Sequence, residues 1–407
     1  MNVQVHPPLH LTYCMNVHPG ETWEENAAAV RDHALRVKQL VGRPGPFGLG
    51  LRLSRAAAQT LSEPGPLQAF RAFCAAHDVY VFTLNGFPYG RFHGGPVKAA
   101  VYQPDWRRHE RLEYTNLLTD ILAALLPEGV NGSISTVPGS YKQWITSDAD
   151  VRVLTENIAD AAAHAAATQA RTGKSIAIAL EPEPDCLIEN TREAITFFQG
   201  PLRAFGTARL RTQHGMSATD AEATLARHVG LCFDTAHMAV AFEDIADSLA
   251  QLRAAGVPVC KIHLSAALGV RDGAEPRTAL RNWCEDVYLH QTRRRAPDGT
   301  ELAFHDLPAA LASPAAPDEQ WRVHFHVPLF FEGLGDLCST QSLLTPRVAR
   351  LITAGATEHV EIETYTYGVL PAELATGDLA ESIAREYRWA LTWLQPHPIP
   401  AAPATRA

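Results

Sequence analysis

The 407-residue chain has no cysteine pair at Cys-x-x-Cys spacing, no apolar run long enough to cross a membrane, no excess of positive charge and no glycine-rich loop behind its first apolar strand. Each absence excludes a class. The seven cysteines (Cys14, Cys74, Cys186, Cys232, Cys260, Cys284 and Cys338) are odd in number and several sit inside apolar runs. A disulfide framework or a thiolate-based structural zinc site is therefore not expected, and a reducing, cytoplasmic compartment is. A formal charge of −9 argues against long DNA or RNA as a partner. The first residues carry Pro7-Pro8 and His10 where a leader would place basic and then apolar residues, so no signal peptide and no membrane span are expected. The first strand leads to His18-Pro19-Gly20, which speaks against an open dinucleotide-binding sheet.

What is present is ordinary globular material, 46% hydrophobic and 19% charged. Apolar runs predict strands over 10–17, 47–53, 79–84, 133–137, 175–180, 229–234, 259–264 and 359–363. Helical patterns lie between them. Thr22 with Glu25 reads as a capping box opening a helix over 23–40. Further helices are expected over 66–77, 106–126, 150–169, 190–198, 218–228, 243–255, 277–293, 343–353 and 379–394. Eight strands alternating with helices imply an α/β fold, a closed (β/α)8 TIM barrel with inserted loops and helices. The expected organisation is one barrel domain over 1–395, an insertion at about 265–330, and a flexible Pro/Ala-rich tail over 396–407.

In such a barrel the strand C-termini meet at one mouth. Here they carry acids and histidines: Glu181 after the fifth strand, Asp234 ending the sixth with His237 on the loop beyond, His263 in the seventh and Glu363 ending the eighth. Three carboxylates and an imidazole suit a divalent cation (manganese, zinc, magnesium or iron), and without one the carboxylates would repel each other. Glu183 rivals Glu181, and Glu361 shares a strand face with Glu363. His324 and His326, two apart in an alternating segment, can join a second metal or contact substrate. Lys142 and Arg52 are candidate charge complements to a ligand, although a salt bridge within the barrel explains Arg52 equally well. Phe87 and Tyr89, in an aromatic loop with Phe92 and His93, read as a wall over the mouth. Arg293-Arg294-Arg295 reads as a solvated helix terminus.

The series Glu181, Asp234-x-x-His237, His263 and Glu363 resembles the xylose isomerase-like barrel superfamily, which includes sugar isomerases, ketose 3-epimerases and apurinic endonucleases. Four motifs, His10-Leu11-Thr12-Tyr13-Cys14 with His18-Pro19-Gly20-Glu21, Thr83-Leu84-Asn85-Gly86-Phe87-Pro88-Tyr89-Gly90, Ser135-Thr136-Val137-Pro138-Gly139-Ser140-Tyr141-Lys142 and Cys232-Phe233-Asp234-Thr235-Ala236-His237, resemble the bacterial metabolite traffic protein EboE family. The resemblance implies metal ligation by Glu181, Asp234, His263 and Glu363, catalysis by Glu181 and Glu363, and His237 near substrate. It implies a metal-dependent isomerase or epimerase of a small sugar- or cyclitol-like, polyhydroxylated metabolite, working with other proteins of a production or export pathway. Hydrolysis at the same site is the second choice, because Ser54 stands where the endonucleases use a histidine. A non-catalytic metabolite-binding or scaffold protein is the third.

Overall fold

The computed structural model describes residues 1–371 and 377–395, so the expected tail over 396–407 lies outside the described residues. Eight strands form the centre: β1 (Leu9–Tyr13), β2 (Phe47–Arg52), β3 (Val79–Asn85), β4 (Gly132–Thr136), β5 (Ile176–Leu180), β6 (Val229–Asp234), β7 (Val259–Leu264) and β8 (His359–Ile362). All neighbours pair in parallel, from β2 through β7 to β8 and from β8 to β1. A parallel bridge between Cys14 and Gly50 closes β1 onto β2. The ring is therefore a closed (β/α)8 barrel, and its strands read as unbroken apolar runs because both faces are covered. Asn2–Gln4 adds a short antiparallel strand beside β1.

The outer helices form where local signals place them. Thr22 accepts from the Glu25 amide and Glu25 accepts in return from the Thr22 amide, so the capping box is present. The alanine-rich helix is longer than expected, spanning Asp148–Thr172, with Ser147 as its cap and Gly173 at a left-handed φ of 75° as its stop. The helix expected to end at Phe198 continues to His214 through a widened π-type stretch, Phe198–Gly206, which accommodates the missing amide of Pro201.

Between β7 and β8 the chain builds a second, antiparallel sheet of six strands, in spatial order Glu301–Phe304, Thr292–Arg295, Gln320–His326, Ala267–Val270, Leu337–Ser339 and Gly333–Leu334. This corrects the helix expected over 277–293: only Pro276–Leu280 is α-helical there, and the arginines enter a strand. They are not a solvated terminus. Arg293 reaches Asp185 at 2.7 Å and also pairs with Glu189. Arg294 is fully buried, donates to Glu319 at 2.6 Å and lies 4.5 Å over the Trp321 ring. Arg295 pairs with Glu301 at 2.7 Å. The acids that neutralise the run come from distant or separately folded segments, which a local charge pattern does not show. One apolar core runs from the barrel into this sheet, including Leu264, Trp321, Val323 and Phe325.

Gly50 at the closing seam has a specific reason to be glycine, since a Cβ there would overlap the Glu361 carboxylate inside the barrel. Gly50→Ala is expected to destabilise the fold by about 1–3 kcal/mol through overpacking. Gly65→Ala, where a Cβ would meet nothing within 4 Å, should be neutral or mildly stabilising. Paired denaturant titrations check this, and equal midpoints for the two variants would contradict it.

Candidate metal centre

Asp234 does three things at once. It ends β6, caps the short helix Thr235–Val240 by accepting the His237 amide at 2.9 Å, and accepts the Ser265 hydroxyl at 2.8 Å. Those bonds use Oδ1, and Oδ2 is left buried without a partner. His237 therefore sits in the first turn of a helix and not on the expected loop, because the strand-end acid is itself the helix cap.

Around Asp234 the structure gathers Glu181 just past β5, His263 within β7 and Glu363 just past β8, all buried. One ligand atom from each of the four lies within 4.8 Å of the others. His263 Nδ1 is at the centre, 2.8 Å from Glu181 Oε1, 3.0 Å from Glu363 Oε2 and 3.7 Å from Asp234 Oδ2. Asn16 and Asn85 donate to the other Glu363 oxygen at 2.9 and 3.3 Å. Glu181 Oε2, like Asp234 Oδ2, has no partner.

Beneath this centre, His263 Nε2 lies 3.1 Å from Glu361 Oε2, and Lys261 pairs with the same carboxylate while donating to Ser135 Oγ at 3.2 Å. Burial opposes ionisation of Glu361, but Lys261 and His263 outweigh it and hold its carboxyl below the usual range. An ionised Glu361 accepts from Nε2–H and so turns the Nδ1 of His263 toward the acids, the second-sphere arrangement common for metal-bound imidazoles. Glu361 is thus committed below the centre, and Glu363 faces it.

The electrostatics describe a site built for a cation. Burial works to lower the proton affinity of His263, yet Cys232, Glu181 and Glu363 raise it well above the ordinary histidine value. Burial raises Glu181. Burial also acts to raise Glu363, but His263 holds it well below the carboxylate range. Three acids and one imidazole, with Glu181 Oε2 and Asp234 Oδ2 buried and without a hydrogen-bond partner, fit a divalent metal ion.

The cavity above is walled by Phe87, Phe92, Tyr102, Tyr288 and Tyr365, with Glu181, Glu183, His237, His324 and Glu363 at its polar end. His324 and His326 reach this region from the inserted strand Gln320–His326, with His237 4.5 Å from His324 between ring centres. Burial, with His237 and His326 close by, keeps His324 well below its ordinary proton affinity.

Three sequence candidates lie elsewhere. Arg52 is clamped by Glu21 at 2.8 Å and by the carbonyl of Gly20 at 3.0 Å. Lys142 is held by Glu189 at 2.9 Å and Glu193 at 3.0 Å. Tyr89 packs edge-on to Tyr114 and under Arg111. None of the three lines the cavity, since each charge or ring is taken by a neighbour remote in sequence.

Other residues join the site, among them Glu183, the rival of Glu181, which stands outside the four-residue cluster. Glu183 accepts from Tyr102 at 2.7 Å, and burial pushes its carboxyl up to about 8. Gln291 bonds His324 Nδ1 at 2.7 Å and donates to Tyr102 at 2.7 Å. Asn16 and Asn85 stood in the quoted motifs, whereas nothing local marks Gln291.

No family model matches the chain, and neither does any curated protein. Solved structures with a similar chain course include the probable 3-DHS dehydratase AsbF of Bacillus anthracis, at 12% identity and TM-score 0.48 over 94% of this chain and 99% of that one. The IOLI protein with a bound zinc atom shows 13% identity and TM-score 0.48 over 95% of this chain and 98% of that one. L-ribulose 3-epimerase shows 12% identity and TM-score 0.47 over 95% of this chain and 94% of that one. The barrel assignment rests on the chain's own strand pairing.

A metal held at this centre through His263 Nδ1 would have to displace the proton that this nitrogen presents to Glu181 and Glu363. Because that proton is bound more tightly than usual, apparent metal affinity should rise with pH, about tenfold per unit for each proton released. Elemental analysis after dialysis against limiting manganese at pH 6 and pH 8 should show lower occupancy at pH 6. Occupancy independent of pH would remove His263 from the ligand set.

Proposed function

We propose that the protein is a divalent-metal-dependent isomerase or epimerase of a small, neutral, sugar- or cyclitol-like compound. The observation that carries this is the placement of Glu181 and Glu363 against one His263 nitrogen, from strands three apart around the ring. Two carboxylates facing a common centre from different sides can take a proton from one face of a carbon beside a carbonyl and return it to the other. A cation held by Glu181, Asp234, His263 and Glu363 would supply Lewis-acid stabilisation of charge on neighbouring substrate oxygens. Asn16 and Asn85 hold Glu363 in position, and the aromatic walls exclude water.

The polar end of the cavity favours an uncharged substrate over a phosphorylated one. Among the described lining residues the one lysine or arginine is Lys98, and its ammonium is taken by Asp306 at 2.8 Å and the Glu285 carbonyl at 3.1 Å. The motif resemblance supports placing the chain near the EboE family, with a small polyhydroxylated metabolite and other proteins of that pathway as partners. The seven free cysteines support a reducing, cytoplasmic location. No described helix is long and apolar enough to cross a membrane.

The test is exchange of substrate carbon-bound hydrogen with deuterated solvent, followed by NMR across a panel of ketoses and cyclitol ketones with manganese, zinc, magnesium or iron supplied. The native chain should exchange one position stereospecifically. Glu363→Gln should keep the fold and ligand binding and lose about 10²–10⁴-fold in rate. Ligand binding without exchange in any member of the panel would favour a binding or scaffold role.

A further inference from the structure

We propose that Glu21 and Arg52 latch a lid, residues 91–96, whose Phe92 ring closes the cavity over the carboxylate-rich centre. The pair are positioning residues acting through Phe92, and they rest on the proposed function only for the metal centre that the lid covers. Three rings meet at the cavity wall from three different segments: Phe92 after β3, Tyr288 in the insertion and Tyr365 after β8. Their centres lie 5.2 Å apart for Phe92 and Tyr288, 5.6 Å for Phe92 and Tyr365, and 5.0 Å for Tyr288 and Tyr365. Phe92, Val97 and Tyr288 form an apolar cluster of their own, separate from the main core. The space behind the rings amounts to about 60 Å³, well below the roughly 300 Å³ at which small-molecule sites begin. With the rings together a six-carbon polyol does not fit, so they part when substrate enters and meet again to exclude water.

The three segments are not held equally. The Glu285 carboxylate accepts the Tyr288 amide at 2.8 Å, and the Val287 carbonyl accepts the amides of Val97 and Lys98 at 2.7 and 3.1 Å. Tyr365 sits between Thr364, which donates to Glu386 at 2.8 Å, and Thr366, which donates to the His326 carbonyl. Among the described residues, the backbone of 91–96 makes one hydrogen bond, from the Phe92 amide to Glu21 Oε1 at 2.7 Å. Gly94 stands at a left-handed φ of 77°, and nothing packs within 4 Å of where its Cβ would be. The other Glu21 oxygen accepts from Arg52 at 2.8 Å. Arg52 also donates to the carbonyls of Gly20, at 3.0 Å, and of Gly90, where the lid begins. Its guanidinium carbon lies 5.8 Å from the Phe92 ring centre. Arg52 is buried at the end of β2, whereas Glu21 keeps 29% of its side chain exposed. Water can therefore compete for the carboxylate while the cation stays in place, and the charge-assisted bonds favour the closed lid.

The test uses the full chain in two measurements. Hydrogen exchange read by mass spectrometry follows 91–96 in the metal-free chain. In Glu21→Ala, exchange there should quicken by at least about tenfold, as expected for loss of a bond to a charged group, while Val97 and Lys98 stay protected. The second measurement is the rate at which a chelator strips cobalt from the loaded chain. Glu21→Ala and Phe92→Ala should both strip faster than the parent by a similar factor, with cobalt content at saturation unchanged. Glu21→Gln keeps an oxygen for the Phe92 amide but loses the charge pairing with Arg52, and its rate should fall between. Unchanged exchange over 91–96, or equal stripping rates in the parent, Glu21→Ala and Phe92→Ala, would overturn the latch. No cobalt in the saturated parent would instead sink the metal centre, and exchange over 91–96 would then decide the latch alone.

Discussion

Four buried acids, Glu181, Asp234, Glu361 and Glu363, are arranged around one imidazole, and the interior of the barrel depends on that charge cluster being balanced. The lower half balances itself, since Lys261 neutralises Glu361 and both are fully buried. The upper half does not, and three carboxylates there share a single imidazole. Ionised groups removed from water are tolerated only when paired or metal-bound. The lower pair thus works as a fixed foundation that orients His263, and the upper set is left short of positive charge. Gly50 belongs to the same constraint, because the space its side chain would fill is occupied by Glu361.

The barrel was legible in the sequence because each parallel strand is a short apolar run between helix signals, and such runs need no long-range information to be recognised. Asp234, His263 and Glu363 stood out for a related reason, as polar residues interrupting or ending runs that are otherwise buried. Residues whose meaning depends on distant partners were not legible. Lys142 looked like a free charge, but Glu189 and Glu193 hold it, and of the two readings open for Arg52 the salt bridge is the one formed, with Glu21 as its partner. Arg293, Arg294 and Arg295 looked like a solvated helix end, but they form a strand of the inserted sheet and each is matched by an acid, that of Arg293 coming from the segment after β5. Gln291 carries no signal of its own, since its role consists of the three groups it joins.

The inserted sheet is the main departure from a plain barrel, and it is tied to the mouth by specific bonds. The Val327 amide donates to the Ala266 carbonyl at 2.8 Å, His326 reaches the Glu363 carbonyl, and Thr366 donates to the His326 carbonyl. The far end of the same strand is braced by Arg294 stacked on Trp321. Two of the three clustered histidines therefore ride on a strand fixed at both ends.

The position of that sheet also bears on how the chain reaches its native state. β8 completes the ring by pairing with both β7 and β1, yet the whole insertion separates it from β7 in sequence. The entropy of closing a longer loop grows only logarithmically, by about 0.6 kcal/mol per doubling of length. The equilibrium penalty for carrying an extra sheet at this point is thus small. The burden falls on speed, since contacts between remote segments form late and slowly. Glu363 follows directly on β8, so the charge cluster is complete only when the last strand has docked, and a partly folded chain has no assembled site with which to bind metal.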